Sequence, residues 1–257
     1  MQIGWSEPRT AIVTGAARGI GLAAAAALVR AGASVAIVDI DGTAGEEAVR
    51  EVAGDAPGAA AVTRVAFFRC DVSSVGEIEA TVAAVAKRFG SVDILVNNAG
   101  ILDTTALSDL TPDGWDRVMA VNVRSAAFAC RAVVPFMERR GWGRIVNVSS
   151  MAGRMGGVST GCAYSVSKAA LLGLTMCLAR RLAASGITVN AVAPGPIATD
   201  LYRGFTDEEA RRVEATIPLG HMGRPANVGD AIAFLASDGA EFITGATIDI
   251  NGGAFTA

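Results

Sequence analysis

Histidine is almost missing from this chain, whose 257 residues contain only His221. The four cysteines, Cys70, Cys130, Cys162 and Cys177, form no C-x-x-C pair. A zinc site needs clustered Cys, His or carboxylate ligands, so no metal is expected. One histidine also leaves little from which to build a Ser-His-Asp hydrolase. The thiols read as buried and free, with Cys162 packing near Tyr164 rather than reacting. Charge of one sign is scarce as well: 22 Lys and Arg against 25 Asp and Glu give a net −3, with no long basic or acidic block. That argues against nucleic acid or an anionic membrane as the main partner. Residues 1–9 have neither the basic region nor the apolar core of a signal peptide. The apolar run 22–29, bounded by Arg18 and Arg30, is too short to span a bilayer. The expectation is a soluble, cytoplasmic protein. A Gly-Lys-Ser/Thr phosphate loop, a linker and a short repeat are all lacking, which removes an ATP-binding P-loop and any mark of a second domain.

What the chain does have is apolar residues, 51% of the total, and thirty glycines. Together they permit a large core with many tight turns and close backbone approaches. Strand-like runs at 10–14, 34–39, 65–69, 93–96, 145–148, 188–193 and 246–250 alternate with helical stretches. The longest helix is expected over 112–139, and another carries Tyr164. Residues 201–224 are more polar and read as irregular or short-helical. Continuous apolar strands separated by helices predict a parallel sheet covered on both faces. The fold class is therefore α/β, a doubly wound, Rossmann-like parallel sheet forming one domain over 1–257.

In such sheets ligands sit beyond the carboxyl ends of the strands. The first strand runs into Gly15-x-x-x-Gly19-x-Gly21 and then directly into a helix. Glycines let the backbone approach a pyrophosphate, and the helix N-terminus offers it unpaired amides and a positive dipole end. Asp39 closes the second strand, where a carboxylate accepts hydrogen bonds from adenosine ribose hydroxyls and repels a 2′-phosphate. The cofactor reading is NAD, with NADP use left open by Arg18, whose guanidinium suits a phosphate.

Tyr164 and Lys168 stand four residues apart at the head of an apolar run, so on a helix they project from one face. The strand 145–148 leads into Ser149 and Ser150, fourteen positions before the tyrosine, and brings a hydroxyl toward the same point. A free tyrosine, with a pKa of about 10, is a poor acid-base group near neutrality. An adjacent ammonium favours the phenolate and moves it toward a useful range.

With those residues in place, the chain from Thr14 to about Gly253 resembles the short-chain dehydrogenase/reductase family in its compact single-domain form. The residues that carry the likeness are Thr14-Gly15-x-x-x-Gly19-x-Gly21, Asn97-Asn98-Ala99-Gly100, Asn122, Ser150, Tyr164-x-x-x-Lys168 and Pro194-Gly195. The resemblance implies a catalytic set of Asn122, Ser150, Tyr164 and Lys168. It places Arg18, Ile20, Ile40, Asp71, Val72, Asn98, Ala99 and Gly100 against the cofactor, Asp71 and Val72 at the adenine. Asn122 would support a water-linked proton relay near the lysine. Pro194, Gly195, Ile197 and Thr199 would hold the nicotinamide, and about 198–225 would be a substrate-covering loop. Of the paired serines it favours Ser150 for the substrate oxygen, and the interval from Ser150 to Tyr164 is one residue longer than the family's commonest pattern.

Hydride transfer between a secondary alcohol and a ketone is the activity so implied, with Ser150, Met151 and Tyr164 at the substrate. Leu102, Met155, Val158, Tyr202 and Phe205 are further pocket candidates; no Arg or Lys is placed there. Two other readings are a 3-oxoacyl-thioester reductase, which would use NADPH and fits Asp39 poorly, and a dinucleotide sensor without turnover. A homotetramer is the expected assembly, its helices 112–139 and 162–184 meeting through small residues.

Overall fold

Seven parallel strands form one sheet in the order β3-β2-β1-β4-β5-β6-β7. The computed structural model describes residues 4–54, 64–157, 159–200 and 206–256. The strands are β1 (Thr10–Thr14), β2 (Ser34–Asp39), β3 (Val65–Arg69), β4 (Ile94–Asn97), β5 (Gly143–Val148), β6 (Ile187–Pro194) and β7 (Thr247–Ile250). The helices are α1 (Gly19–Arg30), α2 (Gly42–Gly54), α3 (Val75–Phe89), α4 (Pro112–Met119), α5 (Ser125–Arg140), α6 (Met151–Met155), α7 (Cys162–Leu182), α8 (Asp207–Glu214) and α9 (Pro225–Ala236). Strands that are covered on both faces need apolar residues at successive positions, which is why β1, β4, β5 and β6 are buried along their whole length.

The two faces have separate cores. Leu28, Val52, Ile232 and Leu235, from α1, α2 and α9, pack on Val13, Ile37 and Val96. Ile78, Val82, Val133, Met137 and Ala179, from α3, α5 and α7, pack on Ile12, Leu95 and Ile145. Each fully buried aliphatic side chain stabilises by about 1.5–3 kcal/mol. The alanine run of α1 has a packing cause. A Cβ on Gly229 of α9 would lie 2.6 Å from the Ala23 carbonyl oxygen, so the two helices approach almost backbone to backbone.

Several sequence expectations change. The 112–139 helix is broken by a π-helical turn, Ala120–Arg124, between α4 and α5. The span from Ser150 to Tyr164 contains α6, whose N-cap is Ser150. Within the described part of 201–224, residues 206–224, the short helix expected there is α8, set by a capping box between Thr206 and Glu209. Cys70 and Cys130 are buried, but Cys162 and Cys177 are exposed, which corrects the reading of four buried thiols. Those two lie with Val166, Gly173 and Met176 on the side of α7 turned away from the sheet. The stretches Pro112–Arg140 and Cys162–Ser185 are long and apolar enough to cross a membrane, yet both are sheet-packed, their apolar residues contributing to the second core.

Candidate active site

The strand order reverses beside β1: β2 and β3 lie to one side, β4 to the other. The loops after β1 and β4 therefore part at the carboxyl edge and open a cleft of about 790 Å³. Thr14 and Asn98 lock its floor. The Thr14 hydroxyl accepts from the amides of Asn98 (3.0 Å) and Ala99 (3.1 Å), and Asn98 Nδ2 donates to the carbonyls of Thr14 (2.9 Å) and Gly15 (2.8 Å). The glycines are sterically required. A Cβ on Gly15 would stand 2.8 Å from Ala99 Cα, and one on Gly21 would stand 2.2 Å from the Gly15 carbonyl oxygen. Gly15 and Gly19 also take φ of +61° and +58°. At the head of α1, Arg18 supplies no side-chain cap, so the first amides of the helix keep their capacity to bind an anion. The residues present therefore fit a dinucleotide.

At the other end of that loop, Asp39 is tied down by backbone. Its carboxylate accepts from the amides of Ala17 (3.0 Å) and Asp41 (3.1 Å). Each oxygen keeps a second lone pair for a hydroxyl. Arg18 forms an ion pair with Asp41. Ile40, Cys70, Asp71 and Val72 make an adjoining wall, and hydrogen bonds from the Ser73 hydroxyl and amide hold the Asp71 carboxyl below its ordinary value.

On the opposite wall, β5 delivers the serines and α7 the tyrosine and lysine. Ser149, 3% exposed, donates its hydroxyl proton to the Lys168 carbonyl at 2.7 Å. Ser150 accepts from the Ala152 amide at 3.1 Å and keeps its proton to donate. The geometry thus gives a physical reason for the preference for Ser150 that the resemblance implied. Tyr164 and Lys168 both line the cleft, with Nζ 5.8 Å from the centre of the phenol ring. Lys168 is 4% exposed, donates to the Val148 carbonyl at 2.9 Å, and is pushed down to about 8 by burial.

Among the predicted residues, Gly15, Arg18, Gly19, Ile20, Asp39, Ile40, Asp71, Val72, Asn98, Ala99, Gly100, Ser150, Tyr164, Lys168, Pro194, Gly195, Ile197 and Thr199 line this one cleft, as does Leu102. Gly21 stands behind the loop and Met151 and Met155 stand outside the cleft. Val158, Tyr202 and Phe205 lie outside the described residues. Asn122 does not line the cleft. Only 1% exposed, it braces the wall from behind: its Oδ1 accepts from the Ile101 amide (2.8 Å), and its Nδ2 donates to the Ile101 carbonyl (3.0 Å) and Ser167 hydroxyl (2.9 Å). Its Oδ1 and Lys168 Nζ each lie 3.3 Å from where a Cβ on Gly100 would sit, so Gly100 keeps the two groups together.

Sequence reasoning did not single out Arg117 and Arg124, which line the cleft together with the expected Arg18 and Lys168. Arg124 donates to the Ser73 carbonyl at 3.1 Å, spanning the cleft's edge. Their spacing of seven, two helical turns, was the available signal.

Residues 15–255 match the family model described as enoyl-(acyl carrier protein) reductase. The chain is 39% identical over 249 residues to the 3-oxoacyl-[acyl-carrier-protein] reductase FabG of Vibrio cholerae, covering 97% of this chain and 98% of that protein. It is 38% identical to the protein of the same name in Escherichia coli K12, over 249 residues with the same coverage. Against that of Staphylococcus aureus Mu50 the identity is 38% over 247 residues, 96% of this chain and 98% of the relative.

Proposed function

The chain belongs to the short-chain dehydrogenase/reductase family, oxidoreductases of carbonyl and hydroxyl groups, and from that premise we propose that it interconverts a secondary alcohol and a ketone with NAD. The observation that carries the reading is the meeting of Ser150, Tyr164 and Lys168 on one wall of a cleft floored by the Gly15–Gly21 loop. NAD(H), when bound, supplies or accepts the hydride. Gly15, Gly19 and the first amides of α1 hold the pyrophosphate, and Asp39 takes the ribose hydroxyls. Pro194, Gly195, Ile197 and Thr199 seat the nicotinamide.

The protein's own part is the proton and the substrate oxygen. Ser150 donates its hydroxyl proton to that oxygen as charge develops there. Tyr164 gives the oxygen a proton in reduction and takes one in oxidation. Lys168, still largely an ammonium at neutral pH, favours the phenolate and lowers the proton's cost of leaving. Asn122 holds Ile101 and the α7 turn at Ser167, next to Lys168, in place and does not itself touch the substrate. We place the enzyme in the cytoplasm as a homotetramer, joined through the outward faces of α5 and α7.

The relatives' names favour a second, narrower reading in which the ketone is a 3-oxoacyl thioester. The carboxylates of Asp39 and Asp41 support NADH rather than NADPH as its reductant. A panel of ketones, alcohols and 3-oxoacyl thioesters, followed by nicotinamide absorbance with each dinucleotide, separates the two. Tyr164→Phe removes the acid-base hydroxyl and should lower turnover by about 10²–10⁴ while NADH still binds. Unchanged turnover in that variant would sink the assignment, and binding without turnover of any panel member would favour a sensor.

A further inference from the structure

Asp39 alone does not explain what becomes of Arg18, the cation in the phosphate loop. Arg18 lines the cleft between Gly15 and Gly19, where a guanidinium can reach a phosphate on the adenosine ribose. In the structure its Nη2 is bound to Asp41 Oδ2. Asp41 is itself fixed: its Oδ1 accepts from the Ala44 amide at 3.1 Å, near the start of α2, and its own amide donates to Asp39 Oδ1 at 3.1 Å. A short circuit thus runs from Arg18 through Asp41 and Asp39 to the Ala17 amide, closing the loop after β1 on the loop after β2. Arg69 pairs in register with Asp39 on the neighbouring strand but does not line the cleft.

We propose that Asp41 is a specificity-determining residue, which occupies the Arg18 guanidinium and so turns the cleft away from a 2′-phosphorylated dinucleotide. The inference rests on the reading of the cleft as a dinucleotide site, and assigns discrimination to a residue outside it. Two carboxylates act differently. Asp39 meets the ribose directly, whereas Asp41 stands behind Arg18 and decides whether that cation is available. The pair is solvent-exposed on both sides, so opening it costs the fold little. A freed guanidinium would gain charge-assisted, bidentate bonds to a phosphate.

The test is equilibrium binding of NADH and NADPH, by calorimetry or nicotinamide fluorescence, to the unaltered protein, to Asp41→Asn and to Asp41→Asn combined with Arg18→Ala. Asparagine keeps an oxygen for the Ala44 amide and removes the charge. NADPH should bind Asp41→Asn about two- to fivefold more tightly than it binds the unaltered protein, the scale of releasing one exposed ion pair, with NADH affinity little changed. The added Arg18→Ala change should abolish that gain. An unchanged ratio of the two affinities in Asp41→Asn, with NADH still bound, overturns the role of Asp41 alone. A gain that survives Arg18→Ala overturns it too, because the effect would not pass through Arg18. Failure of the unaltered protein to bind either dinucleotide overturns the cleft reading and this inference with it.

Discussion

Lys168 offers the sharpest physical test, because an amine this deeply buried must tie stability to pH. Burial moves it from an ordinary 10.5 to about 8. Below pH 8 both the folded and unfolded chains carry the charge, and the folded one bears the full desolvation penalty. Between pH 8 and 10.5 the unfolded chain still binds the proton that the folded chain has released, so stability from this group rises with pH. Above 10.5 neither is charged and the penalty is gone. At about 1.4 kcal/mol per tenfold change in proton affinity, the rise is about 3 kcal/mol.

Many other groups titrate in that window, so the useful quantity is the difference between the protein and Lys168→Met. Methionine has a similar length and no charge, and the Val148 carbonyl it leaves unpaired adds an offset that does not vary with pH. Urea unfolding at several pH values and fixed protein concentration gives both curves. The difference should climb by about 3 kcal/mol in favour of the unaltered protein from pH 8 to 10.5. A flat difference would refute the argument, and one that falls with pH would mean that the fold stabilises the ammonium.

Two further expectations follow from the same wall of the cleft. Ser150→Ala should lower turnover by about 10²–10³, the effect of losing one donor to a developing oxyanion, and cost about 1 kcal/mol of stability with the N-cap of α6. Ser149→Ala should instead leave turnover nearly unchanged and cost about 0.5–1.5 kcal/mol of stability, since its hydroxyl is committed to the Lys168 carbonyl. Unfolding curves give the two costs, and steady-state rates would show the opposite pattern if the two serines had been misassigned. Thiol labelling should reach Cys162 and Cys177, exposed on the outer face of α7 in the single chain, once dilution dissociates the proposed tetramer, whereas Cys70 and Cys130 react only on unfolding; burial pushes the Cys130 thiol up to about 12. Native protection of Cys162 and Cys177 that is lost on dilution would show a second subunit covering the outer face of α7.

Much of the site was legible because its parts are local. A glycine that must admit a neighbouring carbonyl within 2.2 Å of its missing Cβ leaves a trace in the chain, as Gly21 does. The four-residue spacing of Tyr164 and Lys168 is another such trace, for it is a property of one helix. The π-helical turn at Ala120–Arg124 left none, since it answers to the packing of Asn122 against Ile101 and Ser167. The exposure of Cys162 and Cys177 was misread for a related reason: an apolar helix face looks alike whether a sheet or solvent lies against it.

By itself, then, the order of residues determined the alternation of strands and helices, the glycine loop after β1 and the pairing of Tyr164 with Lys168, because period, glycine placement and helix spacing are short-range. Only the tertiary structure decided which serine keeps a free proton, that Asn122 works from behind the wall, and that Arg18 is held by Asp41. Each of those depends on atoms brought together from distant segments, and their distances are set by how the two cores pack on the sheet rather than by any stretch of sequence.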